Sequence, residues 1–168
     1  MGYSRIFQMS ETPLKEEDFF KEERYYGGLR SWFYNEVACG IEVSELPIDP
    51  SNHNWFPCEE GGFVYNSSDN TLVILSKCAV LEKSLEKFIA ELQGLVVSFC
   101  LAKSKEEAFA KSMDLDMALF RLKEAYSPKY GDYVDLGDEH DLLTWNDFVR
   151  ICEEGKTYYL GAVFDYHY

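Results

Sequence analysis

The chain is poor in basic residues. It has 16 lysines and arginines against 30 aspartates and glutamates, which gives a formal net charge of −14. A protein with this charge repels phosphate backbones and anionic lipid. We therefore expect no direct binding to nucleic acid and no binding to a membrane. The complementary partner is a basic protein surface.

Cysteine is sparse and irregularly spaced, and long apolar runs are lacking. The five cysteines include no CxxC pair, and an odd number cannot all pair within one chain. We expect reduced thiols and a cytoplasmic location. The N-terminal sequence MGYSRIFQMSETP has no apolar segment typical of a signal peptide. The apolar stretch LVVSFCLA at 95–102 is too short to span a bilayer.

The short motifs of common enzyme classes are also lacking. The sequence has no GxGxxG, no P-loop, no GxSxG and no HExxH. The three histidines are isolated from one another, at positions 53, 140 and 167. We therefore expect no cofactor and no bound metal.

Apolar residues, in contrast, are plentiful. Hydrophobic residues make up 46% of the chain and aromatic residues 16%. This composition excludes wholesale disorder. A chain of 168 residues buries roughly 70% of its unfolded surface if it folds as one unit. We expect a single domain over residues 1–168.

Periodicity predicts the elements of this domain. The predicted strands are residues 3–9, a hairpin over 63–75 with SSDN at its turn, and residues 157–168. The predicted helices cover 13–24, 29–38, 79–103, a segment that begins at Ser104 and stops before 127–131, and 144–155. Residues 44–62 are rich in Pro, Asn, Ser and Gly and are predicted to form a long loop.

The segment 79–103 has the clearest helical pattern. Its apolar residues recur every three or four positions, and the charged residues lie off this stripe. The members of the stripe are Leu81, Leu85, Phe88, Leu92, Leu95 and Phe99. We expect this helix to be the most buried one, with Leu85, Phe88, Leu92 and Phe99 pointing inward.

The order of these elements predicts the fold class. Strands come in hairpin-like groups and do not alternate with every helix, which favours α+β. We expect a mainly antiparallel sheet built from the N-terminal strand, the central hairpin and the C-terminal strand. A long amphipathic helix pair is expected to pack against it, and the two terminal strands are expected to lie in one sheet.

Acidic residues concentrate near the C-terminus. Eight acids and one base lie between 132 and 154. The spacing does not match an EF-hand, so it does not indicate a calcium site. Acids before a helix also suit its N-terminal dipole. The predicted partner-binding residues are Asp132, Asp135, Asp138, Glu139, Asp141, Glu153 and Glu154.

Three functions stay open from the sequence. The leading one is a non-enzymatic acidic domain that binds a basic protein surface, similar in charge only to inhibitors, immunity proteins and DNA mimics. The second is a small hydrolase or metal-dependent enzyme that uses the 51–62 loop and His140, and it requires His53, Cys58 and His140 to share a pocket. The third is a structural subunit of a homo-oligomer, with the aromatic C-terminal strand as an edge.

Overall fold

The computed structural model of the chain describes residues 3–27, 30–44, 61–112 and 115–168. The chain divides into two compact units. We call Met1–Val80 with Lys129–Tyr168 the sheet unit, and Leu81–Pro128 the helical unit. Most of the predicted loop 44–62, including His53 and Cys58, lies outside the described residues.

A seven-stranded sheet forms the sheet unit. Its strands are β1 (Tyr3–Ser10), β2 (Gly40–Val43), β3 (Phe63–Asn66), β4 (Thr71–Ile74), β5 (Tyr133–Asp135), β6 (Leu143–Thr144) and β7 (Thr157–His167). They follow the order β3-β4-β7-β1-β5-β6, and β2 also pairs with β7. β5 runs parallel to β1, and the other pairings are antiparallel. The predicted α+β class is confirmed, and the expected sheet is corrected to a mixed one.

The helices fall into both units. They are α1 (Glu23–Tyr26), α2 (Ser31–Glu36), α3 (Lys77–Cys100), α4 (Lys105–Ser112), α5 (Leu115–Tyr126) and α6 (Trp145–Ile151), with a 3₁₀ turn at Glu16–Asp18. The predicted pair of long helices is therefore α3 with the segment described as α4 and α5, and it lies almost entirely in the helical unit.

The terminal strands lie side by side, as expected. β1 pairs with β7 along most of its length, and the 63–75 hairpin joins the same sheet through β4. β7 has β1 on one side and β2 and β4 on the other, so it is a central strand. The idea that this strand offers an edge for self-assembly is therefore wrong.

One side of the sheet carries an aromatic core. It consists of Ile6, Tyr25, Phe33, Val37, Ala38, Ile41, Tyr133, Leu142, Ala162, Phe164 and Tyr166. Tyr25 comes from α1 and Phe33 from α2, and Phe33 meets Tyr166 edge-to-face with ring centroids 5.0 Å apart. Buried aromatic pairs of this geometry stabilise a core beyond the area they remove from water.

The most buried helix is α6, not α3. Trp145, Phe148 and Val149 of α6 are buried, whereas Leu92 of α3 is 39% exposed. The other three residues expected to point inward, Leu85, Phe88 and Phe99, are only partly buried. The amphipathic pattern located the helix but did not determine what covers its apolar stripe.

The predicted helix over 13–24 is wrong, and Gln8 explains why. This buried side chain sits at a bulge of β1, where its Oε1 accepts hydrogen bonds from the backbone N–H groups of Phe20 and Ala162, and its Nε2 donates to the carbonyl of Asp18. Backbone groups held in this way are not free for a helical ladder. Gly161 leaves space for the Gln8 side chain, because a Cβ at position 161 would lie 2.5 Å from Gln8 Oε1.

Candidate functional site

The fold separates the predicted acidic site into three groups. Asp132 directly precedes β5 and Asp135 ends it, inside the sheet unit. Asp138, Glu139 and Asp141 lie in the following connection and are exposed. Glu153 and Glu154 are exposed after α6. The five carboxylates between 132 and 141 were expected to form one exposed patch, and this is wrong, because β5 inserts into the sheet beside β1 and buries Asp135.

Asp135 is the centre of a buried ionic cluster. Its side chain has no exposed surface. Arg24 Nε donates to Oδ2 at 2.8 Å and Nη2 donates to Oδ1 at 3.2 Å, while Arg30 Nη2 lies 3.4 Å from Oδ1. Tyr25 adjoins the cluster, and burial together with the Asp135 charge raises the pKa of its hydroxyl. A carboxylate without water requires such partners.

Arg30 also holds the loop that follows Asp135. Its Nη2 donates to the carbonyl of Gly137 at 2.9 Å and to the carbonyl of His140. Gly137 has a φ of 105°, a backbone conformation that glycine adopts without strain, and its N–H donates to Asp135 Oδ1 at 3.0 Å. One buried guanidinium thus fixes both ends of the turn at 137–140.

The fixed loop presents carboxylates to solvent. The side chain of Asp138 is 76% exposed and that of Asp141 is 98% exposed. Arg24 Nη1 contacts Asp138 at 2.7 Å, and Arg30 Nη1 is 3.9 Å from Asp141. The two arginines exceed the one buried carboxylate by a single positive charge. The three loop acids therefore keep a net charge of about −2 at this surface.

Glu153 and Glu154 lie outside the loop that carries Asp138, Glu139 and Asp141. They follow α6, whose N-terminus adjoins the 138–141 loop. The helix α6 lies between the two acidic groups along the chain. Glu154 Oε1 accepts a hydrogen bond from the backbone N–H of Lys77 at 2.6 Å, so it caps the N-terminus of α3. A structural role thus accounts for Glu154, and a binding role for Glu153 and Glu154 stays a prediction.

A second polar group surrounds Asp132. Its Oδ1 accepts a hydrogen bond from the backbone N–H of Arg5 at 2.8 Å. Burial raises the pKa of this carboxyl to about 6, against the opposing effect of that hydrogen bond and of the Arg5 charge. Arg5 Nε lies 3.3 Å from Asp165 Oδ1, and Asp165 also accepts a hydrogen bond from the Ser44 hydroxyl.

Of the three residues that the enzyme hypothesis requires in one pocket, only His140 lies in the described ranges. His140 is exposed, and it is its backbone carbonyl that meets Arg30. His167 packs its ring against Tyr3 at a centroid distance of 4.3 Å. In the described ranges, no group of three or more His, Cys, Asp or Glu side chains is placed to hold a metal ion. A shared pocket with His53 and Cys58 concerns residues outside those ranges.

The helical unit contains a cleft of about 360 Å³. Leu95 and Phe99 of α3 and Leu115 of α5 supply apolar walls, and Lys111 and Arg121 also line it. Both cations are paired, since Lys111 Nζ is 3.1 Å from Glu107 and Arg121 Nε is 3.5 Å from Glu91. The volume is within the range of small-ligand sites, but the charges at this cleft already balance.

Sequence reasoning missed Arg24 and Arg30, the two cations that organise the acidic loop. The sequence Tyr133-Val134-Asp135 contains a local signal of a buried carboxylate, because two strand-forming residues directly precede Asp135. A carboxylate in a buried strand requires a cation. Only the fold identifies which one, because more than 100 residues separate Asp135 from each arginine along the chain.

Within the described ranges, no helix has the length and apolar character needed to cross a membrane. Comparison of the chain with protein-family models, curated proteins and solved structures finds no significant match.

Proposed function

We propose that this chain is a non-enzymatic protein-interaction domain whose sheet unit binds a basic protein surface. The contact centres on Asp138, Glu139 and Asp141. This contact resembles that of acidic inhibitors, whose carboxylates attract a basic partner electrostatically. Complementary charge accelerates association and selects partners more than it adds affinity.

The observation that carries this proposal is the Arg30 clamp beneath the loop. The guanidinium binds the carbonyls of Gly137 and His140 from inside the protein, so the loop carboxylates face solvent on a fixed backbone. A loop that is already ordered loses less conformational freedom when a partner binds.

The charge of the whole unit supports the same proposal. The sheet unit has nine lysines and arginines against 22 aspartates and glutamates, a net charge of −13. Glu22 and Glu23 directly precede Arg24 at the start of α1, and Arg24 itself contacts Asp138. The exposed loop thus lies next to further acids, in a field that attracts cations.

Capture from the native lysate tests the proposal. The protein carries an affinity tag, and captured proteins are quantified by mass spectrometry at low and at physiological salt. The loop variant combines Asp138→Asn, Glu139→Gln and Asp141→Asn. We expect the wild type to enrich a protein with a basic surface, and the loop variant to lose most of it and to associate with the purified partner at least tenfold more slowly.

A matched variant separates the loop from overall charge. Glu16→Gln, Glu17→Gln and Glu36→Gln remove the same three charges at other exposed positions of the sheet unit. This control should retain most of the capture. Equal loss in both variants would show that net charge alone is responsible, and a partner with no basic surface would contradict the proposal.

A further inference from the structure

Among the described residues, the outer face of α3 is an exposed apolar seam. Ile89, Leu92 and Val96 are exposed and follow one another by three and four residues, with partly buried Leu85 four residues before Ile89. Side chains at this spacing lie on one face of a helix. It is also the spacing through which two helices interlock in a coiled coil. We call Leu85, Ile89, Leu92 and Val96 the outer seam.

The seam is distinct from the face of α3 used inside the helical unit. That inner face meets α5 through Phe88 and Tyr126, whose rings are 5.5 Å apart, and through the ion pair of Glu91 with Arg121. The two faces are about a quarter to a third of a turn apart around the helix axis. The contacts within the unit therefore leave the outer seam open.

Charge favours a second copy of this chain as the partner. The helical unit has seven lysines and arginines against eight aspartates and glutamates, a net charge of −1. Two sheet units at −13 each repel one another, whereas two helical units do not. Self-association of this protein is therefore electrostatically easiest through the helical unit.

Exposed apolar side chains are concentrated in the helical unit. Ten of the 19 large hydrophobic side chains that are exposed in the described residues belong to the helical unit, including Met117, Leu119 and Phe120 of α5. At about half exposure, ten such side chains present roughly 800 Å². A standard stable interface buries about this area on each partner. The outer seam contributes three of the ten side chains, Ile89, Leu92 and Val96, so an interface of that size also includes exposed side chains beside the seam.

We propose that two copies of the chain pair through the outer seams of α3, with the two helices antiparallel. The orientation follows from the charges of α3. Glu82, Lys83, Glu86, Lys87 and Glu91 all lie in its first 15 residues, and no charged residue occurs from Leu92 to Ala102. Parallel helices would place like charges at equal heights. Antiparallel helices place the charged half of one copy beside the uncharged half of the other. This inference does not rest on the proposed binding function.

Sedimentation velocity of the full chain over a wide concentration range tests the pairing. Val96→Glu places a charge in the outer seam, and Ile89→Glu is an independent second variant. Val64→Glu is the matched control, because Val64 on β3 has the same 52% exposure as Val96. We expect a dimer whose dissociation constant rises at least tenfold in both seam variants and stays unchanged in the control. Circular dichroism verifies that each variant retains its helices.

Two native cysteines report the orientation. Cys78 and Cys100 are exposed and continue the outer seam, seven residues before Leu85 and four after Val96. They are 22 positions apart on one helix, or roughly 33 Å, so a disulfide between them requires two chains. After mild oxidation with diamide, mass spectrometry should find the Cys78–Cys100 peptide in the wild type and lose it in Val96→Glu. A chain that stays monomeric at every concentration, or that yields only Cys78–Cys78 links, would overturn the proposal.

Discussion

The sheet unit and the helical unit differ in net charge and in how many apolar side chains they bury. The sheet unit carries a net charge of −13 and buries a dense set of aromatic side chains between its strands and short helices. The helical unit is nearly neutral, and among its described residues only Leu81 and Ala125 are buried. One unit has a large net charge outside and apolar residues inside, whereas the other exposes apolar residues and has little net charge.

The difference indicates two kinds of surface on one chain. Like charges across a surface cost folding stability, and a well-packed core offsets that cost. An apolar surface with balanced charge is unfavourable in water. Association lowers the free energy because it removes that surface from water. Electrostatic attraction of a basic partner therefore fits the sheet unit, and self-association fits the helical unit. Four experiments test this contrast.

Removal of Asp135 should have the largest effect. Asp135→Ala leaves Arg24 and Arg30 without their buried carboxylate, which costs about 3–5 kcal/mol. Asp138→Ala is the control, because Asp138 also pairs with Arg24 but is 76% exposed, and it should cost less than about 1 kcal/mol. Urea unfolding followed by circular dichroism gives both values. Equal costs would mean that the ionic cluster is not sealed from water.

The same substitution in the two units compares their packing directly. Leu72 on β4 is fully buried, and Leu72→Ala should lower the free energy of unfolding by about 2–5 kcal/mol. Leu92 on α3 is 39% exposed, and Leu92→Ala should cost about 1 kcal/mol. Denaturation at low protein concentration keeps association from adding to the second value. A large cost at Leu92 in the monomer would remove the contrast between the units.

Asp132 offers a pH-dependent test of the sheet unit. Its pKa is about 6 in the folded chain, above the value of about 3.9 for an unfolded aspartate. The folded state then binds more protons between these values, so this group lowers stability as the pH rises through that window. Asp132→Asn keeps an acceptor for the Arg5 N–H without a charge. It should stabilise the protein by up to about 2 kcal/mol at pH 7.

The stabilisation by Asp132→Asn should vanish near pH 4, where the carboxyl of the folded protein is protonated. Thermal or urea unfolding of the wild type and the variant at the two pH values measures this difference. If the variant were destabilised at pH 7, the charged form of Asp132 would be the one the fold requires, contrary to the direction of its pKa shift.

Salt should produce the smallest effect and distinguish the two units. Raising the ionic strength from low to physiological screens the repulsion among the 22 acids of the sheet unit and should stabilise it by less than about 1 kcal/mol. The helical unit should change less. Amide hydrogen exchange measured on peptides from each unit separates the two responses. A larger salt effect on the helical peptides would contradict the assignment of repulsion to the sheet unit.

Local sequence patterns predicted the elements whose backbone hydrogen bonds form within the element itself or with the next element along the chain. The capping box at Ser104 is one such case, since its hydroxyl accepts the N–H of Glu107 at 3.1 Å. The hairpin is another, with β3 and β4 joined across 67–70 and Asn70 in a left-handed conformation. Thr144 likewise caps α6 through the N–H of Asp147.

Elements that depend on a distant partner were missed. No strand is predicted over 133–135, yet the segment is a strand because β1 supplies its parallel neighbour. The strand β2 is similar, since its four residues pair with the end of β7. A strand of three or four residues has no periodicity long enough to detect, and its hydrogen bonds exist only when the sheet is assembled.

The sequence by itself determined the net charge, the α+β class and the position of the amphipathic helix α3, because composition and periodicity are properties of the chain. The tertiary structure alone decided which carboxylates face water. Asp135 and Asp138 are three residues apart, yet one is sealed between two arginines and the other is exposed. It also decided that the apolar stripe of α3 stays partly open, because burial depends on what packs against a face and not on the face itself.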